Sequence, residues 1–462
     1  MRLTRLSASD VHGYLPIDVE FDKELTFLIG LNGSGKTSAL RLLMGLLTPA
    51  VDELAKIEFG RAEVLIQTEV GEVSITAERD QSGLTLRTTN VDGELRVDPS
   101  SLEILTAPSR RDEERVHPLF RSIMQNNVFV SIRKIATPMF LGLERRLFQE
   151  DRFFESNSEN ARRRDILIRR QFFDEIEPLS GVTGAGLADV LILVRDTMSE
   201  IRAKQEKLDR DLRERILMSA VRFTPTEFDT FQPPSMDVIN RYRSRREELR
   251  EAAKLLRLPL DDVQVSLDTF FSKMDELGSE LLVRKHTPAN KDDEKAVQNA
   301  NALMTWLINK NQVDRILENF KQFETYAIER EALHSTIDRL LELLNKFLVQ
   351  TGKSVEITDS DRLIVRRSDG KVQSPAALSS GERQLCIMLG HLSLNPLLSG
   401  SGIFIVDEPE LSLHLSWQEI FVDSVRAANS DVQLIFATHS PAIILDKDSN
   451  CRSLKVGRSD VA

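Results

Sequence analysis

The stretch Leu25-Thr26-Phe27-Leu28-Ile29-Gly30-Leu31-Asn32-Gly33-Ser34-Gly35-Lys36-Thr37 decides how this chain folds. Its first five residues are mostly apolar and read as a short buried strand. Gly30 to Thr37 then fits the phosphate-binding pattern G-x-x-x-x-G-K-[ST]. Glycines 30, 33 and 35 let the backbone wrap an anion closely, with N–H groups turned toward phosphate oxygens. Lys36 places a cation against the β and γ phosphates of a nucleotide, and Thr37 offers a hydroxyl to Mg²⁺. Lys36 to Leu47 reads as helix, ended by Pro49. Strand before and helix after are the context this motif requires.

The rest of the chemistry lies at the other end of the chain. Ile403-Phe404-Ile405-Val406 is an apolar run suited to a strand buried on both faces of a parallel sheet. Asp407 and Glu408 follow at its C-terminal end, where open α/β sheets place their ligands. Asp407 can hold Mg²⁺ through water, and Glu408 can polarise an attacking water. His439 follows a similar run, Leu434-Ile435-Phe436-Ala437, and reads either as a γ-phosphate contact or as a structural histidine. Leu378-Ser379-Ser380-Gly381-Glu382 is a capping box in which Ser379 starts a helix and Glu382 closes it. Leu385, Met388, Leu389 and Leu392 form the apolar stripe behind it. A helix start carrying a serine is also an anion site, so the two readings coexist.

Between these ends lies something large, because Lys36 and Ser379 are 343 positions apart. Ala62 to Gln67, Glu72 to Glu78 and Leu84 to Thr88 read as strands of an antiparallel meander. From about 147 the composition shifts toward Glu, Arg, Lys and Leu. Leu187 to Val221 fits one helix of about 50 Å. Prolines 224, 233, 234, 259 and 288 break the region, so shorter helices packed as an arm or bundle fit better than one coiled coil. The expected division is 1–146 for the first half of a nucleotide-binding head, 147–350 for a helical insertion and 351–462 for the second half.

Composition narrows the partners. The 462 residues carry a formal net charge of −11, against general coating of nucleic acid or anionic membrane. Two basic stretches stand out, Arg145 to Arg170 and Arg241 to Arg246, yet both mix with polar or acidic residues as solvated helical faces do. Cys386 and Cys451 make no metal-ligand pair and suggest a reducing cytosol. No segment approaches the roughly 20 apolar residues of a membrane span. A soluble cytoplasmic protein is expected.

Together the four motifs resemble the ATP-binding-cassette (ABC) superfamily, with Leu378–Glu382 in the place of its signature. The resemblance implies an α/β fold: an ABC-type ATPase head, a mixed sheet with a P-loop, interrupted by a large α-helical insertion. It implies ATP and Mg²⁺ as cofactors, with Asn32, Gly33, Ser34, Gly35, Lys36, Thr37 and Ser38 binding ATP. Thr37 and Asp407 would hold the metal, and Glu408 and His439 would be catalytic. It also implies a head-to-head homodimer in which Ser379, Ser380, Gly381 and Glu382 of one head complete the site of the other. The inserted arm looks like the SMC and DNA-repair ATPases. Asp407-Glu408-Pro409-Glu410 with Leu413-His414 and Trp417-Gln418 is more similar to the bacterial OLD-type ATPases. Where relatives often carry an early arginine this chain reads Val11-His12-Gly13-Tyr14, and Leu415 follows His414 where proline is frequent. The glutamine expected to sense metal and γ-phosphate has only weak candidates in Gln67 and Gln149.

OLD-type nucleases continue into a metal-dependent nuclease domain, whereas this sequence stops soon after His439. The chain is therefore expected not to be a nuclease itself. Stand-alone ATPases of this shape resemble the ATPase subunits of the antiphage systems Septu and PARIS, which hold or control a separate nuclease effector. The expected role is a regulatory or sensor ATPase in such a complex, probed by a nucleic acid or phage-protein trigger and forming homodimers or higher oligomers. The alternative is an SMC-like repair or chromosome-maintenance ATPase that acts directly on DNA.

Overall fold

The computed structural model describes residues 1–106, 119, 121–135, 138–141, 147–148, 182–221, 235–240, 244, 260–285, 293–398 and 402–454. Gln149 and the basic residues of both stretches, 145–170 and 241–246, lie outside them. The chain forms two compact units, Met1–Thr197 with Ile337–Ala462, and Met198–Thr336.

In the first unit the strands run β1 (Arg2–Val11), β2 (Leu15–Glu20), β3 (Leu25–Ile29), β4 (Arg61–Gln67), β5 (Glu72–Asp80), β6 (Gly83–Thr88) and β7 (Val91–Val97). They continue with β8 (Met139–Leu141), β9 (Leu147–Phe148), β10 (Lys353–Ile357), β11 (Leu363–Arg367) and β12 (Val372–Gln373). Last come β13 (Ile403–Asp407), β14 (Gln433–Ala437) and β15 (Cys451–Ser453). The order β2-β1-β4-β5-β6-β7 makes an antiparallel sheet, and β15-β3-β14-β13-β8-β9 makes a mixed one. In the mixed sheet only the β8–β9 pairing is antiparallel.

Burial follows the sequence pattern. β2 alternates buried and exposed residues, as a strand with one wet face must. Every residue of β13 and β14 is buried, because both faces of the central parallel strands are covered. One core joins Leu6, Val64, Ile75 and Leu86 of the antiparallel sheet to Leu28, Ile405 and Ile435 of the mixed sheet. The helix Lys36–Leu47 contributes Leu40, Leu43 and Leu47 to that core and ends before Pro49 as expected. On the opposite side, Phe436 stacks near Phe27 and Phe421, with ring centroids 6.0 and 5.7 Å away. Gln433 clips the two sheets together: its amide accepts from the Leu3 N–H at 2.7 Å and donates to the Leu3 carbonyl at 2.9 Å.

The insertion's helices are longer than the proline count suggests. Val182–Val221 has 40 residues, Leu260–Lys285 has 26 and Asp293–Leu348 has 56. All five prolines lie outside the described residues. In the second unit Trp306, Met274 and Leu281 make a small apolar cluster, and the Tyr326 hydroxyl donates to Asp209 at 2.5 Å. No described helix is long and apolar enough to cross a membrane.

The two ends of the insertion belong to the first unit. Leu187, Val190 and Val194 at one end, and Leu340, Leu344 and Phe347 at the other, are buried. Gly390 permits a close approach there: a Cβ at that position would lie 2.6 Å from Val190 Cγ1.

Candidate functional site

Strand order alone assembles the site. β14 lies between β3 and β13, all three parallel, with Leu28 beside Ala437 and Ala437 beside Asp407. The C-terminal ends of the three strands therefore open side by side. From them emerge the glycine loop, the Asp407-Glu408 turn and the Thr438-His439 turn.

Backbone geometry explains the glycines of the loop. Gly33 and Gly35 have φ of 83° and 89°, in the left-handed region that favours glycine. A Cβ at Gly35 would also sit 2.4 Å from the Leu15 side chain. Gly35 caps the helix Lys36–Leu47, whose first N–H groups face the loop. The Lys36 ammonium donates to the Gly30 carbonyl at 2.9 Å and the Leu31 carbonyl at 3.3 Å. Burial lowers its pKa, opposed by the nearby carboxylates of Glu408, Asp407 and Glu410. Ser34 is buried, and its hydroxyl has no hydrogen-bond partner among the described residues. Ser38 contacts His12, with Nε2 and Oγ 2.8 Å apart. His12 thus stands beside the start of the helix where an arginine was expected.

Asp407 is the electrostatic anomaly. It is 4% exposed, and neither carboxylate oxygen has a hydrogen-bond partner of ordinary geometry among the described residues. Burial pushes its pKa up to about 6, while Thr37, Arg41 and Lys36 pull it down and Glu408 adds to the rise. A buried carboxylate without partners is costly unless a cation joins it. The donor set of Asp407 beside a threonine hydroxyl suits a hard, oxygen-seeking ion such as Mg²⁺.

Glu408 follows in a strained conformation, φ 49° and ψ 59°, which a non-glycine residue adopts at a cost of order 1–3 kcal/mol. Its N–H donates to the Ala437 carbonyl at 2.8 Å. His439 is exposed at the end of the neighbouring turn. Glu410, Gln418, Thr438 and Ser440 connect the two turns through hydrogen bonds. Glu410 and Gln418 stand out in the sequence only through the resemblance, and Thr438 and Ser440 carry no local signal. A register-based pairing of the runs 403–407 and 433–437 would have placed them together.

The signature segment is a true capping box. The Ser379 N–H donates to Glu382 Oε2 at 2.6 Å, and the Glu382 N–H reaches Ser379 Oγ at 3.4 Å. Glu382 is buried and also accepts from Lys353 Nζ and Thr351 Oγ1, both at 2.7 Å. Ser380 and Gly381 form the first turn of the helix Ser380–Leu394. These bonds tie the segment to the β10 region and not to the glycine loop of the same chain. Gln67 ends β4, pairs with Arg2 and Glu72, and gives its amide to Thr68, within the antiparallel sheet.

Parts of the chain are similar to known proteins. The family described as "AAA domain, putative AbiEii toxin, Type IV TA system" matches residues 223–446, which include Ser379, Asp407, Glu408 and His439. The Retron Vc95 probable ATPase of Vibrio cholerae serotype O1 biovar El Tor is 26% identical over 189 residues, 32% of this chain and 36% of that protein. The Retron Ec83 probable ATPase of Escherichia coli is 30% identical over 140 residues, 29% of this chain and 26% of that protein. The chain is thus similar to an AAA-type domain family and to two probable ATPases. The matches span roughly a quarter to a third of the length of those retron proteins. An Smc head bound to the C-winged helix domain of ScpA aligns over 98% of the chain and 94% of its own. Its identity is 11% and its TM-score 0.39.

Proposed function

We propose that the head binds and hydrolyses ATP with Mg²⁺ in a composite site formed by two copies, and that this cycle controls a separate nuclease effector in an antiphage defence complex. The observation that carries the ATP reading is the juxtaposition of three strand ends around an unpartnered, buried Asp407. Backbone N–H groups of residues 33–37 would cradle the phosphates, and the Lys36 ammonium would leave its loop carbonyls for phosphate oxygens. Thr37 and Asp407 would hold Mg²⁺, which supplies charge neutralisation between the β and γ phosphates. Glu408 would accept the proton of the attacking water, and His439 would orient the γ-phosphate. Ser379 and Gly381, at the start of the helix Ser380–Leu394, would complete the partner head's site through the Ser379 hydroxyl and the Gly381 N–H.

The defence reading is supported by the partial similarity to retron probable ATPases and by the resemblance to Septu and PARIS subunits. Net charge −11 favours a protein partner over direct wrapping of DNA. The second unit, Met198–Thr336, would offer the docking surface. ATP turnover should vanish in Lys36→Ala and Glu408→Gln, with nucleotide binding kept only in the latter. Wild-type turnover by Glu408→Gln would remove Glu408 from the catalytic role, and wild-type turnover by Lys36→Ala would remove the ATP reading of this site.

A further inference from the structure

The geometry points to Glu410 as a positioning residue that sets His439 against Glu408. This inference rests on the hydrolysis reading above. Glu410 Oε1 accepts from the His439 N–H at 2.7 Å, and Oε2 accepts from the Thr438 hydroxyl at 2.9 Å. One carboxylate therefore spans from the turn after β13 to the turn after β14.

Two further links lie on either side of that bridge. The Glu408 N–H donates to the Ala437 carbonyl at 2.8 Å. The Ser440 hydroxyl donates to Gln418 Oε1 at 2.6 Å, and Gln418 Nε2 donates to the Leu413 carbonyl at 2.9 Å. Residues 437 to 440 are thus held at three successive points by groups from the 408–418 segment. The arrangement accounts for the strained backbone of Glu408: a left-handed non-glycine residue persists where its surroundings over-determine it. Pro409 fixes the next φ, and the Glu410 carboxylate anchors the far side of the turn.

The chemistry requires a carboxylate at this position. Both of its partners are donors, and an ionised carboxylate only accepts. A glutamine would turn an NH₂ toward one of them. Thr438 could take that NH₂ on its second lone pair, since the Ser440 N–H at 3.0 Å uses only one, but its own proton would then lose the acceptor that Glu410 Oε2 provides. An aspartate is one methylene too short for a span that Glu410 just makes. Glu410 touches neither phosphate nor water in this scheme; it acts through His439 and Glu408.

The test is steady-state kinetics with Mg²⁺-ATP, alongside the dissociation constant of a non-hydrolysable ATP analogue, on full-length Glu410→Gln and Glu410→Ala. Misplacing a reacting group by about 1 Å costs up to about a hundredfold in rate. kcat should therefore fall by about tenfold in Glu410→Gln and about a hundredfold in Glu410→Ala, with analogue affinity changed by less than about threefold. Thr438→Val, which removes one bond of the bridge at constant shape, should show the same split in smaller degree, and serves if Glu410→Ala does not fold. An unchanged kcat in the folded variants, or a loss expressed wholly in affinity, overturns the assignment. Lys36→Ala and Glu408→Gln run in parallel: activity surviving in those sinks the hydrolysis reading, whereas their loss with intact Glu410 variants sinks only this inference.

Discussion

Lys353 Nζ lies 2.7 Å from Glu382 Oε2, and the Glu382 carboxylate is almost fully buried while the lysine retains a fifth of its exposure. Glu382 thereby performs two tasks at once. It closes the capping box on Ser379, and it anchors the signature helix to Lys353 at the start of β10. Burial alone would raise its pKa; hydrogen bonds from Lys353, the Ser379 N–H and Thr351 outweigh that and hold it below the usual carboxylate range.

A pH dependence follows from that sign. A depressed folded pKa contributes stability above the unfolded value of about 4.5, and the contribution is lost as pH falls toward the lower folded value. The melting-temperature gap between wild type and Glu382→Gln should be widest near about pH 7 and close toward about pH 3. Lys353→Met should destabilise the head by about 1–3 kcal/mol at neutral pH, the usual cost of orphaning a buried polar partner. A denaturant midpoint equal to wild type would show the pair to be idle.

Asp407 should behave in the opposite way. Its carboxylate is buried without partners, so Asp407→Asn should raise the melting temperature of the metal-free protein near neutral pH while abolishing Mg²⁺-dependent turnover. Calorimetry with and without Mg²⁺ checks this. Equal melting temperatures for the two proteins in chelator would contradict it.

Helix packing supplies a third expectation. Gly390→Ala places a methyl against Val190, since a Cβ there comes within 2.6 Å of Cγ1. Overpacking of this kind costs about 1–3 kcal/mol, and the shift falls on the helix that carries Ser379. Val190→Ala in the same protein should recover most of the loss, as urea titration would report.

The glycine loop, the strands around it and the acidic turn were legible because each is local. A buried strand, three glycines and a lysine fall within 13 residues, and Ile403–Asp407 announces its own burial. The locks on the site were not legible. Glu410 and Thr438 are 28 positions apart, and Lys353 and Glu382 are 29 apart; only strand register brings them together. His12 meets Ser38 because the loop after β1 reaches the helix start, which no local pattern encodes. The insertion's composition announced helices, but not that Leu187 to Val194 and Leu340 to Phe347 pack in the head. Removal of the arm should therefore span 198–336, joined by a short linker, so that these buried stretches stay. Such a protein should keep analogue binding and lose control of its effector; loss of nucleotide binding in a folded deletion variant would argue against that division of labour.

The composite site is tested most directly by mixing Lys36→Ala with Ser379→Arg, each inactive alone. Random exchange of heads leaves one intact site in each mixed dimer, so the mixture should recover about a quarter of the wild-type turnover per head. A mixture no more active than its two components would contradict a site shared between two copies.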